Sequence, residues 1–183
     1  MTTAEPIAPE RVLAVVAHPD DVDYGSAGTI AQWTSRGVEV AYCIATYGDA
    51  GGFDDTPREK MAALRESEQR AAAAAVGVTD VTFLGYPDAR NPFAHPELLA
   101  EEGLDAWAVP EVWMTGGVEA DHWVDITDAF ELKLAALRAH ASQTRHLGDG
   151  LEKMLREWNG GNAAAAGLPL GRLAEAYQIA STR

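Results

Sequence analysis

Val12-Leu13-Ala14-Val15-Val16, running straight into Ala17-His18-Pro19-Asp20-Asp21, joins an apolar segment to three ionisable side chains. A short run of β-branched and aliphatic residues reads as a buried strand of a parallel sheet. Open α/β sheets place their ligands beyond the carboxyl ends of such strands, where His18, Asp20 and Asp21 fall. His18 and Asp21, three apart across a turn, can both point into that crevice as metal ligands. Asp20 lies between them, free to act as a base, and Pro19 limits the flexibility of the turn. A plainer alternative is a His-Pro turn whose aspartates cap the next helix, but a cap needs one carboxylate and no histidine.

Downstream of this turn, Ser26 suits the N-cap of a helix through Ile30 and Trp33, and Gly37 suits its C′ position. A second strand is predicted over residues 39–46 and a polar loop over 47–56. Pro57 fits the first turn of a helix reaching Ala75, which Gly77 stops. Residues 78–84 form a third strand that ends at Gly85-Tyr86-Pro87-Asp88. Strand, helix, strand, helix, strand predicts an α/β protein: a Rossmann-like, doubly wound, mainly parallel sheet with right-handed crossovers. After Asp88 the pattern changes. Asn91-Pro92-Phe93-Ala94-His95-Pro96 is turn-like, residues 97–103 allow a short helix, and 110–114 and 122–126 are short strands around Gly116-Gly117. Thr127 or Asp128 can cap a helix carrying Phe130, Leu134, Leu137 and Ala141 on one face. Another helix follows over 151–158, and residues 173–179 close the chain.

With 183 residues, 47% of them hydrophobic, residues 1–183 read as a single domain able to bury a sizeable core. A net charge of −14 argues against nucleic acid or an anionic membrane surface as partner. Cys43, the single cysteine, allows neither an internal disulfide nor a cysteine-based zinc cluster, and its apolar strand reads as the seat of a buried thiol. Residues 1–6 have no basic region followed by an apolar core, and no stretch approaches the roughly 20 apolar residues of a membrane span. A cytoplasmic protein is expected.

An imidazole and a carboxylate suit zinc, and three protein ligands plus water make a catalytic zinc site that lowers the water pKa towards ~7. Asp20 would accept the water proton as attack on a carbonyl begins. A dinucleotide site is disfavoured. Gly25 and Gly28 do not make Gly-x-Gly-x-x-Gly, and Asp20, Asp21 and Asp23 would repel a pyrophosphate.

Ala17-His18-Pro19-Asp20-Asp21 with Gly25, Gly28 and Thr29 resembles the first signature of the LmbE-like (PIG-L) N-acetylglucosaminyl deacetylases. Thr46-Tyr47-Gly48-Asp49-Ala50-Gly51, Arg65 with Glu68-Gln69-Arg70-Ala71-Ala72, Phe83-Leu84-Gly85-Tyr86-Pro87-Asp88 and Asp121-His122-Trp123-Val124-Asp125-Ile126-Thr127 extend the likeness over nearly the whole chain. The resemblance implies a zinc-dependent hydrolase that removes an acyl group from an amino sugar or its conjugate, a small-molecule substrate. It makes His18 and Asp21 zinc ligands, Asp20 the general base, and Arg65 and Asp88 candidates for holding substrate hydroxyls. Val22 stands where many relatives have glutamate.

One departure is larger. Relatives carry a second motif, close to His-x-x-His, which supplies the third zinc ligand, and no such pair is present here. The chain passes from Asp88 directly into Ala89-Arg90-Asn91, so a strand–helix unit of about 30 residues or more is expected to be missing near residues 88–91. His95 and His122 are the histidines considered as substitutes, while His140 and His146 read as surface residues. Two functions follow: a zinc-dependent deacylase, or a catalytically impaired family member that binds a sugar-like ligand or has lost specific function.

Overall fold

The computed structural model describes residues 9–51, 56–86, 110–115 and 119–181. Three strands, β1 (Arg11–Val16), β2 (Glu39–Thr46) and β3 (Asp80–Tyr86), form a parallel sheet in the order β1-β2-β3. The helices α1 (Asp21–Ser35) and α2 (Arg58–Ala75) connect them, as strand–helix alternation requires. Val12, Ala14 and Val16 of β1 and Val40, Tyr42 and Ile44 of β2 face these helices and meet Ala27, Ile30, Ala72 and Val76.

The opposite face of β1 corrects the expectation of a fully buried strand: Leu13 is 62% and Val15 50% exposed. Helices cover one face of the sheet, and among the described residues β1 pairs only with β2. Cys43, paired in register with Val15, is half-buried on that same open face rather than enclosed.

The helix starts and stops are partly as expected. Gly37 (φ 86) and Gly77 (φ 81) end α1 and α2 in the left-handed conformation, and Val38 and Val78 return amides to Trp33 and Ala73. Pro57 immediately precedes α2. Ser26, however, is inside α1, whose N-cap is Asp20. The acidic turn itself opens the helix, because the Asp20 carbonyl already accepts the amides of Asp23 and Tyr24.

The second half builds an antiparallel sheet that the alternation of elements did not predict. β4 (Glu111–Met114) and β5 (His122–Asp125) each pair with β6 (Ala174–Ser181), giving the order β4-β6-β5. A 3-10 turn (Thr127–Ala129) leads into α3 (Phe130–Ala139). Neither Thr127 nor Asp128 caps the helix: its N-cap is Ala129, and the Asp125 carboxylate accepts the Thr127 amide and hydroxyl at the start of the preceding turn. The helix breaks at His140 (ψ 58), so Ala141 begins a separate turn, α4 (Ala141–Thr144). The last helix, α5 (Gly150–Ala165), continues through Gly160-Gly161. Ile126, Phe130, Leu134, Leu137 and Leu151 make a second apolar cluster beneath α1 and β5. The Rossmann-like α/β reading thus holds for the half that presents the acidic turn. No helix among the described residues is long and apolar enough to cross a membrane.

Candidate active site

At the carboxyl end of β1 the chain turns through His18, Pro19 and Asp20 into α1. Asp20 has φ 83, the sole positive φ of a non-glycine among the described residues. Such a conformation costs on the order of 1–3 kcal/mol and persists where surrounding contacts enforce it. It brings His18 and Asp21 together: the His18 amide donates to Asp21 Oδ2 at 2.9 Å, and His18 Nδ1 lies 3.4 Å from the same oxygen. Both side chains are about two-fifths exposed.

Asp20 points the other way, into the protein. Its Oδ2 is 3.1 Å from Arg65 Nη2, and Arg65 also donates to the Pro19 carbonyl (2.7 Å) and the Gly48 carbonyl (2.9 Å). Arg65, predicted to hold substrate hydroxyls, is 5% exposed and joins β1, the loop after β2 and α2 at one point. Thr46 completes the tie, donating its amide and hydroxyl to the Ala17 carbonyl and accepting the Gly48 amide. Burial is the main influence on the Asp20 carboxyl and raises it to about 6. Arg65 and His140 pull it down, and the like charges of Asp21 and Asp23 push it up.

A buried polar chain lies beneath. The Asp20 amide donates to Gln69 Oε1 (2.8 Å), Gln69 Nε2 to Asp23 Oδ2 (2.8 Å), and His140 Nε2 lies 2.9 Å from that same oxygen. His140, expected at the surface, is fully buried, as are Asp23 and Gln69. Glu68, next to Gln69 on α2, receives the amide and hydroxyl of Ser142 and so caps α4. None of Asp23, Glu68, Gln69, His140 or Ser142 was singled out from the sequence as a site residue. The available signal was the polar run His140-Ala141-Ser142-Gln143 interrupting an apolar helix face.

The remaining expectations divide. Asp88, His95 and the junction at 88–91 lie outside the described residues. His122 begins β5, where its ring meets Trp113 edge-on at 4.9 Å. Burial lowers its pKa, against the opposing pull of Asp121 and Glu111. His146 is exposed, as expected.

Zinc–nitrogen and zinc–oxygen bonds of about 2.0–2.2 Å at a tetrahedral angle place two ligand atoms about 3.4 Å apart. His18 Nδ1 and Asp21 Oδ2 have that separation, so the pair fits a divalent cation. Among the described residues no group of three His, Cys, Asp or Glu could hold one. A cavity of about 530 Å3 adjoins Asp21, between Val16, Tyr24 and Gly25 on one side and Thr115, Trp158 and Asn162 on the other.

The profile of the PIG-L family, described as GlcNAc-PI de-N-acetylase, matches residues 13–159, and the chain belongs to that family. A probable N-acetyl-alpha-D-glucosaminyl L-malate deacetylase 2 of Bacillus anthracis is 38% identical over 90 residues, covering 47% of this chain and 40% of the relative. The chain thus spans well under two thirds of that relative's length. The Bacillus subtilis protein of the same description is 28% identical over an alignment of 198 positions, covering 80% of this chain and 89% of the relative. As 80% of 183 residues is about 146, about 50 of those positions have no counterpart here. The structure is similar to an N,N'-diacetylchitobiose deacetylase from Pyrococcus horikoshii, with TM-score 0.81 and 24% identity, covering 94% of this chain and 84% of that one.

Proposed function

We propose that this chain is built to hydrolyse the N-acyl amide of an amino-sugar conjugate, with zinc at His18 and Asp21 and Asp20 as the general base. The observation that carries the reading is the turn after β1: an imidazole nitrogen and a carboxylate oxygen 3.4 Å apart, with a second carboxylate held separately by Arg65. A divalent cation held there would acidify a water molecule and polarise the acyl oxygen. Asp20 would take the proton of the attacking water and return it to the departing amine nitrogen. Arg65 keeps the Asp20 carboxylate oriented, and burial keeps its proton affinity near the working range. Asp88 remains a proposed substrate contact. The relatives' descriptions support an amino-sugar substrate, since they name N-acetylglucosaminyl malate and diacetylchitobiose.

A second reading, an impaired family member, is favoured by one observation: no third ligand joins His18 and Asp21 among the described residues. The unmatched alignment positions support the loss of an internal segment. Loss of a supporting partner costs about 10–100-fold in metal affinity or activity, and loss of a direct ligand at least as much. Weak zinc binding and slow turnover are therefore expected. The test is release of acetate from N-acetylglucosaminyl substrates with added zinc, comparing the parent chain with Asp20→Asn. Turnover in the parent that falls about 100-fold or more in the variant supports the hydrolase. Equal signals remove Asp20 from the mechanism, and tight stoichiometric zinc binding removes the impaired reading.

A further inference from the structure

We propose that Gln69 and His140 are positioning residues for Asp20, holding its left-handed backbone through Asp23. A positive φ is uncommon outside glycine, and although aspartate tolerates it better than most residues, the contacts around Asp20 help to hold it there. Its carbonyl is committed to the first turn of α1 and its carboxylate to Arg65, which leaves the amide as the remaining handle. That amide is held by Gln69 Oε1.

The orientation of Gln69 follows from its neighbours. The Asp20 amide can only donate, so Gln69 Oε1 must face it, which turns the Gln69 amino group to Asp23 Oδ2. His140 fixes Asp23 in turn. Its Nε2 stands 2.9 Å from Asp23 Oδ2, within hydrogen-bond distance of the oxygen that Gln69 also reaches. The His140 backbone is held by the amides of Gln143 and Thr144, which its carbonyl accepts at the start of α4, and its ring is fully buried. Four elements thereby converge on one peptide group: the turn, α1, α2 and the α3–α4 junction.

The arrangement is expensive. Asp23 Oδ1 and His140 Nδ1 are buried and have no hydrogen-bond partner among the described residues. A buried polar atom left unsatisfied carries a penalty, and apolar residues of similar volume commonly replace a buried charged pair without loss of stability. Stability alone does not explain this cluster; a fixed position for Asp20, with His18 and Asp21 on either side of it, does.

Amide hydrogen exchange at Asp20 tests this directly, and it needs neither activity nor bound metal. Gln69→Met conserves shape and removes both hydrogen bonds, so the Asp20 amide should exchange about tenfold faster or more while the Tyr42 and Ile44 amides of the central strand keep their protection. His140→Ala should act in the same direction. His140→Gln, which retains a donor near the Nε2 position, should restore slow exchange. If His140→Ala also loosens the central strand, Gln69→Met and His140→Gln decide the matter. Unchanged Asp20 exchange in Gln69→Met, or faster exchange in His140→Gln equal to that of His140→Ala, overturns the proposal.

A second readout bears on the metal. The zinc affinity of Gln69→Met should fall about tenfold or more, because His18 and Asp21 flank the released turn. The idea that Asp20 serves as a base rests on the function proposed above. A parent chain that binds no zinc would defeat that reading and leave the exchange result standing.

Discussion

Gly48 shows how tightly single residues are constrained around the acidic turn. Its φ is +62, and a β-carbon there would lie 2.0 Å from Arg65 Nη1. The guanidinium has no room to retreat, being tied to the Pro19 and Gly48 carbonyls and to Asp20. Gly48→Ala should therefore lose on the order of 2 kcal/mol of stability, through backbone strain and through displacement of the Arg65 clasp. Gly161 in α5 makes the control: nothing lies within 4 Å of its would-be β-carbon. Gly161→Ala should gain about 0.5–1 kcal/mol from helix propensity. Urea unfolding of the two variants gives opposite signs if the clasp is as described, and a stabilised Gly48→Ala would contradict it. His18, Asp20 and Asp21 were legible as a cluster because they are contiguous and follow an apolar strand. His140 was not, because its partner Asp23 lies 117 positions away. A helical histidine with no visible partner reads as exposed.

Between elements, the most demanding contact is the buried pair Lys133–Glu175, 2.7 Å apart and almost fully enclosed. Glu175 on β6 accepts the amides of Gly28 and Thr29, while Lys133 on α3 donates to the Tyr24 carbonyl, the ordinary helical acceptor of Gly28. The pair is inserted into the hydrogen-bond ladder of α1, and Ile126 fills the space at Gly28, where a β-carbon would meet it at 2.8 Å. Lys133→Met leaves a buried carboxylate uncompensated and should cost about 3–5 kcal/mol. Adding Glu175→Gln removes the orphaned charge, so the double variant should be more stable than Lys133→Met alone. A thermal-unfolding cycle should show a coupling of about 1 kcal/mol or more, and strict additivity would deny the contact. This network also explains which elements the sequence disclosed. Strand β2 and helix α2 have local signals: an apolar run in one, and Pro57 and Gly77 bounding the other. β6 has Ala174-Glu175-Ala176-Tyr177, in which an inward carboxylate breaks the usual alternation. Lys133, 42 positions earlier, and the Gly28 and Thr29 amides of α1 make that charge tolerable. Ser26 misled for a related reason, since the helix was already opened by Asp20 within the acidic turn.

At the scale of the whole molecule, the described residues cover one face of the parallel sheet and leave the other open. Leu13, Val15 and Leu84, exposed by 62%, 50% and 49%, alternate with the core positions of β1 and β3 and so share the open face. Among the described residues the outer edge of β1 has no partner strand. Open edges bordered by apolar side chains promote pairing between copies, while a net charge of −14 opposes close approach. Salt should tip this balance: at about 0.5 M the Debye length falls to a few ångströms, and repulsion between copies weakens while apolar attraction does not. Self-association measured by sedimentation velocity should therefore grow with salt. The double substitution Leu13→Lys/Val15→Lys should suppress that growth at a stability cost of about 0.5 kcal/mol or less per site, because neither side chain is part of the packed core. A parent chain that stays monomeric at high salt, or a variant that associates equally, would show that this face does not bring copies together. The edge of β1 bears on the site itself, because Val16 and Asp21, at the carboxyl end of that strand, border the cavity. An element bound along that edge would lie beside the His18–Asp21 pair, which no third ligand joins among the described residues. Association that also tightened zinc binding in the parent, and not in the double variant, would tie the open sheet to the weakness of the metal site.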